Sequence, residues 1–392
     1  MRTIGVVTVG RSDYGIYLPV LHKINASTEL RLHLIVSGTH LSPEFGRTEK
    51  DIKVEGFEIN ERVEMLLSSD TPEGIAKSIG LGIIGLAQSY SRFRPDILLL
   101  LGDRFEMLSA AVAAIPYNIP IAHIHGGELT EGAIDEKIRH SITKMSHLHF
   151  TSTELHRRRV IQLGEEPWRV IVSGAPGLDN VRTVELLSRQ ELEQEIGVSL
   201  RPSPLLVTYH PVTLEYSKVP EQFSDLLAAL DATDLPVVFT YPNADTNGRA
   251  IIEAIQRFVQ SHKCSQVVAN LGTRRYLSLM KYSRAMVGNS SSGIIEAASF
   301  KLPVVNIGNR QQGRVRGKNV IDVSSNRHSI EKAIRQAIST DFSSGLSDMD
   351  NPYGDGRAAS RIVDTLQSLA LDQEMITKKF YDIPLVGMDQ SS

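Results

Sequence analysis

The nine residues Gly-Asn-Ser-Ser-Ser-Gly-Ile-Ile-Glu at 288–296 bring three hydroxyls, two glycines and a carboxylate together in a pattern suited to holding an anion. The apolar run Ala285-Met286-Val287 before them predicts a buried strand. The run from Gly293 to Phe300, with Ile294, Ile295, Ala297 and Ala298 on one face, predicts a helix. The hydroxyls of Ser290, Ser291 and Ser292 then meet the free N–H groups of a first helical turn, where the helix dipole favours a phosphate. Glu296, about one turn further in, is placed to accept hydrogen bonds from a diol such as a ribose. On these residues alone, a loop that only caps its own helix is an equal reading.

A second group of reactive types lies in the first half of the chain. The run 97–101 ends in Gly102-Asp103-Arg104, and the run 119–125 ends in Gly126-Gly127-Glu128, with Asp135 following. Asp103, Glu128 and Asp135 beside Arg104 form a polar cluster of the acid/base kind. Capping of the helices that follow is the plainer role for Asp103 and Asp135. His123 and His125 alternate along one strand and so share a face; with Glu128 they make a two-histidine, one-carboxylate set, a rival metal reading. No third histidine stands at ligand spacing, so no metal is expected. Gly10-Arg11-Ser12-Asp13-Tyr14-Gly15 opens a helix after the first strand, with Asp13 as its expected cap and Arg11 as a candidate phosphate clamp. The spacing lacks both the dinucleotide fingerprint and the Walker lysine. In the second half, Tyr209-His210-Pro211-Val212-Thr213 and Tyr241-Pro242-Asn243 end two predicted strands. The Gly-spaced loop 308–317 carries Arg310, Arg314 and Arg316, a set suited to a diphosphate, each charge-assisted bond contributing about 1.5–3 kcal/mol.

These residues need elements to hold them. From the start to residue 172, apolar runs at 3–9, 30–36, 96–101, 120–125, 149–151 and 170–172 alternate with amphipathic segments near 14–24, 73–92, 105–117, 134–145 and 154–163. That alternation predicts βαβ units and a parallel sheet. The charged stretch 188–194 and the Pro-punctuated 201–204 predict a linker. The pattern then restarts with strands at 205–209, 236–240, 266–268, 285–287, 303–307 and 320–322. The expectation is an α/β protein of two doubly wound Rossmann-like domains, 1–172 and 173–365, facing a central cleft. Residues 356–371 predict a closing helix, and 366–392 its end and a tail able to pack back on the first domain. Ligands of open parallel sheets sit at the carboxyl ends of strands, and every residue singled out above falls there.

With 392 residues the chain exceeds what one core usually supports, which agrees with two domains. A net charge of −3 gives no broad basic field, so nucleic acid is not expected as the partner. No apolar run approaches membrane-span length, the first strand is too short for a signal core, and the single Cys264 suits a reducing cytoplasm; a cytoplasmic protein with no membrane partner is expected.

Together, residues 10–15, Leu101-Gly102-Asp103-Arg104, 123–128, Asp135 with Ile138-Arg139-His140, His210-Pro211-Val212-Thr213, 288–296 and 310–317 resemble the UDP-N-acetylglucosamine 2-epimerases, especially the hydrolysing branch. The resemblance covers nearly the whole chain. It implies the two-domain glycosyltransferase-B-like fold and a UDP-sugar substrate, with UDP held mainly by the second domain and no cofactor. It also implies assembly as a homodimer or homotetramer. It places nucleotide contacts on Arg11, Arg104, His210, Asn243, Ser290, Ser291, Glu296 and Arg310, and acid/base residues on Asp103 and Asp135. Ser12 and Ile16 replace the Pro and Lys of non-hydrolysing members. His125 stands where many members have Glu, with Glu128 three residues later, which leaves one acid/base group open between them.

The implied reaction is elimination of UDP to a 2-acetamidoglucal, then hydration to release N-acetylmannosamine and UDP for sialic acid synthesis. Two readings stand beside it within the branch and outside it: the same reaction on the 2,4-diacetamido-2,4,6-trideoxy sugar of the legionaminic acid route, and a retaining glycosyltransferase or nucleotide-sugar sensor.

Overall fold

A computed structural model describes residues 1–69, 71–130, 134–211, 218–241, 248–268 and 271–383. The chain divides into two compact units. One takes the residues up to Asp179, apart from a short stretch at Thr130, together with the chain from Gly356 onward; the other takes Asn180–Asp355.

The first unit is built on strands β1 (Arg2–Thr8), β2 (Leu30–Ser37), β3 (Glu61–Val63), β4 (Ile97–Leu101), β5 (Ile121–Ile124), β6 (Leu148–Thr151) and β7 (Val170–Val172). They pair in the order β3-β2-β1-β4-β5-β6-β7, all parallel. β4 reads Ile-Leu-Leu-Leu-Leu and is buried at every position, as a strand covered on both faces must be. The three-residue edge strand β3 has no counterpart among the predicted strands, being too short to show an alternation. Thr71 caps the long helix Pro72–Arg92, accepting from the Gly74 N–H at 3.1 Å, with Pro72 in the first turn.

The second unit carries β8 (Leu205–Thr208), β9 (Val237–Thr240), β10 (Ser265–Val268), β11 (Ala285–Gly288), β12 (Val304–Ile307) and β13 (Val320–Val323), ordered β10-β9-β8-β11-β12-β13 and again parallel. Alternate residues feed two separate cores. Leu205, Val207, Val237 and Phe239 meet Phe223, Leu226, Ile255 and Ile334 on one face. Leu206, Val238, Met286 and Val304 meet Leu192, Leu277 and Met280 on the other. A period of two along each strand, with helices against both faces, is what makes the sheet doubly wound.

Two expectations about organisation are corrected. The stretch read as a linker is a helix, Arg189–Ile196, closed by a capping box between Ser188 and Glu191, and its Leu192 is fully buried in the second unit. The division falls after Asp179 rather than after 172, and the chain rejoins the first unit at Gly356 rather than near 366. Asp179 explains both: its carboxylate accepts from the Ala358 and Ala359 N–H groups at 2.9 and 2.8 Å, capping the helix Ala358–Ser368. Arg169 then holds the carbonyls of Glu374 and Met375 at 2.7 and 3.0 Å, and the Lys378 ammonium reaches the buried Glu165. Charged side chains spaced far apart in sequence make these ties, so no local pattern announces them.

In both sheets the strand order reverses between neighbours, at β1/β4 and at β8/β11. Such a reversal opens a crevice at the carboxyl ends, and the residues of interest stand there: Arg11, Asp13, Asp103 and Arg104 in the first unit, His210 and residues 289–292 in the second. Gly288 makes the second of these possible. Its φ is +140°, and a Cβ on it would lie 2.0 Å from the Thr208 carbonyl oxygen. Gly288→Ala is expected to destabilise the protein by about 2–6 kcal/mol through overpacking and backbone strain, measured as a fall in the urea midpoint.

Candidate active site

The first unit presents two clusters joined by one arginine. Asp103 follows β4, half-buried, and accepts a hydrogen bond from Arg139 Nη2. The N-cap of the next helix is Arg104, without a side-chain bond. Arg139 is 4% exposed on the helix Ile134–Met145, and its other terminal nitrogen donates to the His125 carbonyl at 2.9 Å. Asp135 sits inside the first turn of that same helix rather than ahead of it. Burial raises its carboxyl above the ordinary value, the Asp103 charge raises it further, and Arg104 and Arg139 oppose both. Arg104 forks onto Glu106 at 2.9 and 3.2 Å, and Glu106 is 1% exposed.

The second cluster follows β5. His125 lies just past the strand with φ +66°, a left-handed conformation that is uncommon for a residue with a Cβ and is held in place here by its neighbours. Its N–H donates to the Phe150 carbonyl at 3.0 Å, and its carbonyl is held by Arg139. The turned backbone points the ring at Glu128: His125 Nδ1 and Glu128 Oε1 are 2.5 Å apart, and the Ser152 hydroxyl donates to the same oxygen. Ser152 lies 3.1 Å from His156 Nδ1, and burial pulls His156 down to about 4, so it is neutral. His123 is different. It is fully buried, its Nε2–H donates to the Gly102 carbonyl at 2.8 Å, and burial pulls it down to about 3. The expectation that His123 and His125 share one face is therefore corrected: the left-handed turn takes His125 off the strand, and His123 is a neutral core residue.

Asp13 was expected to cap its helix, and the structure corrects that too. The helix Arg11–Ala26 has Gly10 as its N-cap, with no side-chain bond. Asp13 turns inward instead, 4% exposed, accepting from the Thr8 hydroxyl at 2.7 Å and the Val9 N–H at 2.9 Å, while its Oδ1 has no hydrogen-bond partner. Burial pushes its carboxyl up to about 6, against the pull of Thr8, Val9 and Arg104. Because the folded value exceeds the unfolded one, Asp13 costs no stability below about pH 4 and costs progressively more as the pH rises through 6. Asp13→Asn should remove that dependence: relative to wild type, the variant gains about 1 kcal/mol between pH 5.5 and 7.5 in urea unfolding. Arg11, in contrast, is exposed, with its guanidinium 4.0 Å from Asp51.

In the second unit Ser290 is the N-cap of a helix that runs only over Ser291–Ile294, followed by a 3₁₀ turn, Ala297–Phe300. The expected helix from 293 to 300 is thus broken near Ile295. A one-turn helix has little macrodipole, so any anion here relies on its free N–H groups and the hydroxyls. Ser290 Oγ accepts from the Ser292 N–H at 3.4 Å. Tyr276, on the helix Gly272–Tyr282, reaches the same place: burial raises its phenol, while bonds with Ser292, Thr208 and Ser290 oppose the shift, and Glu296 lies near enough to add to it. Arg310 Nη1 donates to the Asn289 carbonyl at 3.0 Å, which sets a cation beside the serines. His210 is 7% exposed; burial first, and then the Arg310 charge, pull its imidazole down to about 4. Arg314 is half-buried on the loop after β12. Arg316 turns away to Asp322 at 3.1 Å. Asn243, Val212 and Thr213 lie outside the described residues.

The model of the family described as UDP-N-acetylglucosamine 2-epimerase matches residues 22–367. The chain is 40% identical, over 97% of its length and 99% of the relative's, to a protein of Campylobacter jejuni named GDP/UDP-N,N'-diacetylbacillosamine 2-epimerase (hydrolyzing). This chain belongs to the UDP-N-acetylglucosamine 2-epimerase family. Within that family it falls in the hydrolysing branch: it is also 38% identical, over 96% of its length and 99% of the relative's, to the UDP-N,N'-diacetylbacillosamine 2-epimerase (hydrolyzing) of Legionella pneumophila. The fold is shared with the UDP-GlcNAc 2-epimerase of Neisseria meningitidis solved with UDP-GlcNAc, with a TM-score of 0.81 at 19% identity over 93% of this chain and 99% of that one.

For a hydrolysing 2-epimerase of this family, the sequence pointed to Asp103, Glu128, Asp135 and His125, which the structure gathers around Arg139 and Ser152, and to His210, Ser290, Ser291, Ser292, Glu296 and Arg310, which it gathers at the β8/β11 reversal. It did not pick out Arg139, Glu106, Ser152, His156, Tyr276 or Asn289 as site residues. Most of these lie within helices or beside a residue already noted. Arg139 alone carried a signal, as a charged residue on the inner side of an amphipathic helix next to Ile138.

Proposed function

We propose that the protein removes UDP from a UDP-linked 2-acetamido sugar by elimination across C1 and C2, then adds water at C1 and a proton at C2 from the opposite face. The balance is one UDP-sugar and one water giving UDP and the free C2-inverted sugar. The coupling of Asp135 to Asp103 carries this reading. Burial and a neighbouring carboxylate raise Asp135, while Asp103 is ion-paired with Arg139, so one pair offers both a proton donor and a proton acceptor. The reaction needs two such centres, one for each face of the ring. The His125–Glu128 pair is the second: the carboxylate fixes the imidazole's tautomer and orientation, and the ring exchanges the proton. This makes His125 the acid/base and Glu128 its partner.

In the second unit, the role assigned to the serine hydroxyls, Arg310 and Arg314 is to take up charge on the departing diphosphate. His210, neutral at physiological pH, donates a hydrogen bond to it, and Glu296 receives the ribose hydroxyls. Cationic and hydroxyl donors of this kind suffice to stabilise the leaving group.

The sugar we assign is N,N'-diacetylbacillosamine, the 2,4-diacetamido-2,4,6-trideoxy hexose, because two hydrolysing relatives near 40% identity over almost the whole chain carry that substrate in their names. UDP-N-acetylglucosamine, converted to N-acetylmannosamine for sialic acid synthesis, is the second reading, favoured by the family's own description. Offering both UDP-sugars at equal concentration, without any acceptor, and identifying the released sugar by mass spectrometry tests the assignment. A larger kcat/KM for the diacetamido substrate is expected. Preference for UDP-N-acetylglucosamine would move the assignment to the second reading, and release of UDP only in the presence of an acceptor would point to a glycosyltransferase.

A further inference from the structure

β8 and β11 pair as far as Thr208 and Gly288, and beyond that point the two backbones part, since Ser290 caps a helix that begins at Ser291. The ladder nevertheless continues for one more rung, made by a side chain. Asn289 is 1% exposed, and its amide copies a peptide group: Oδ1 accepts from the His210 N–H at 2.7 Å, and Nδ2 donates to the His210 carbonyl at 2.8 Å. The Asn289 main chain is also engaged. Its N–H donates to the Thr208 carbonyl at 3.2 Å, and its carbonyl accepts from both Arg310 Nη1 at 3.0 Å and Gln311 Nε2 at 2.8 Å. One residue therefore ties together the end of β8, the start of the serine loop and the loop after β12. No aspartate can make both amide bonds, because it lacks the donor, and a longer glutamine would not match the spacing of a peptide group.

We propose that Asn289 is the positioning residue of the diphosphate cradle, fixing His210 and Arg310 against the serine loop before the nucleotide arrives. This rests on the reading of residues 289–292, His210 and Arg310 as the UDP site. A cradle held in advance by buried, satisfied hydrogen bonds need not reorganise as charge develops on the leaving group. Asn289 itself acts through its neighbours, and both its amide oxygen and its amide nitrogen are engaged by His210. Gln311, 2% exposed, supports the same carbonyl from behind and is the expected second member of the brace.

The experiment is UDP titration by calorimetry with the full-length protein, for wild type, Asn289→Ala, Asn289→Asp, Arg310→Ala and the double variant Asn289→Ala/Arg310→Ala, with circular dichroism as the check on folding. Asn289→Ala and Asn289→Asp are each expected to raise the UDP dissociation constant about 10- to 100-fold. The double variant should bind no more than about threefold more weakly than Arg310→Ala alone, because both substitutions disable the same grip. The isosteric Asn289→Asp keeps the bond from the His210 N–H and serves if the alanine variant does not fold. Folded variants that bind UDP within about twofold of wild type, or losses that multiply in the double variant, overturn the proposal. Wild-type protein that fails to bind UDP overturns both the inference and the site reading beneath it. Wild-type binding with unaltered variants removes the inference alone.

Discussion

Asp103→Asn is expected to lower turnover by roughly 10²- to 10⁴-fold while leaving UDP affinity within about threefold of wild type. The substitution keeps the side chain's shape and an oxygen able to accept from Arg139, so the link through Arg139 to the His125 carbonyl survives. It removes the negative charge and the ability to take a proton. Two further effects follow. Asp135 loses the carboxylate that helps to raise it, so its proton is held less firmly, and Arg139 faces a neutral partner in a buried position. UDP binding is assigned to the other unit, which is why the effect should fall on kcat. Steady-state kinetics alongside UDP calorimetry read the two separately, and turnover near the wild-type level would remove Asp103 from the mechanism.

Acidification should weaken the first unit well above the pH at which carboxylates titrate. Burial pulls His123 down to about 3, and His40, His147 and His156 each to about 4. A histidine that is neutral in the fold takes up a proton near pH 6.5 once the chain unfolds, so each contributes stability that is complete above pH 6.5 and is lost as the pH falls toward the folded value. Between pH 7 and 5.5 each of the four loses about 1.3 kcal/mol, whereas Asp13, with its raised value, returns about 0.8. The net fall of about 4 kcal/mol is a large share of the stability of an ordinary domain. Urea unfolding at the two pH values, followed by a probe in the first unit, measures it directly. A midpoint independent of pH over that range would mean that these rings are solvated in the folded protein.

Much of the fold was legible because the signals are local. β4 is a continuous apolar run, the glycines at its end and at the end of β5 mark turns, and residues 285–288 lead directly into Ser290. What stayed hidden depends on side chains distant in sequence. The capping of the helix Ala358–Ser368 by Asp179 reaches across the second unit's sequence, so no local pattern marks where the chain returns to the first unit. Asp13 looked like a cap because aspartate at a helix start usually is one; its inward turn depends on Thr8 and the Val9 N–H standing at the end of β1. His123 and His125 look equivalent from their spacing, and only the backbone turn at His125 separates a core histidine from one that faces Glu128. Asn289 lies within the most conspicuous stretch of the chain, but its role depends on the His210 backbone, 79 residues away in sequence.

Running the reaction in deuterium oxide with UDP-N,N'-diacetylbacillosamine, and examining the released sugar by NMR and mass spectrometry, separates elimination and hydration with inversion at C2 from plain hydrolysis. UDP and a free 2,4-diacetamido sugar of inverted C2 configuration, carrying one deuterium at C2, are the expected products with no acceptor present. A released sugar that retains both its C2 hydrogen and its configuration would contradict elimination, and would make the protein a simple UDP-sugar hydrolase.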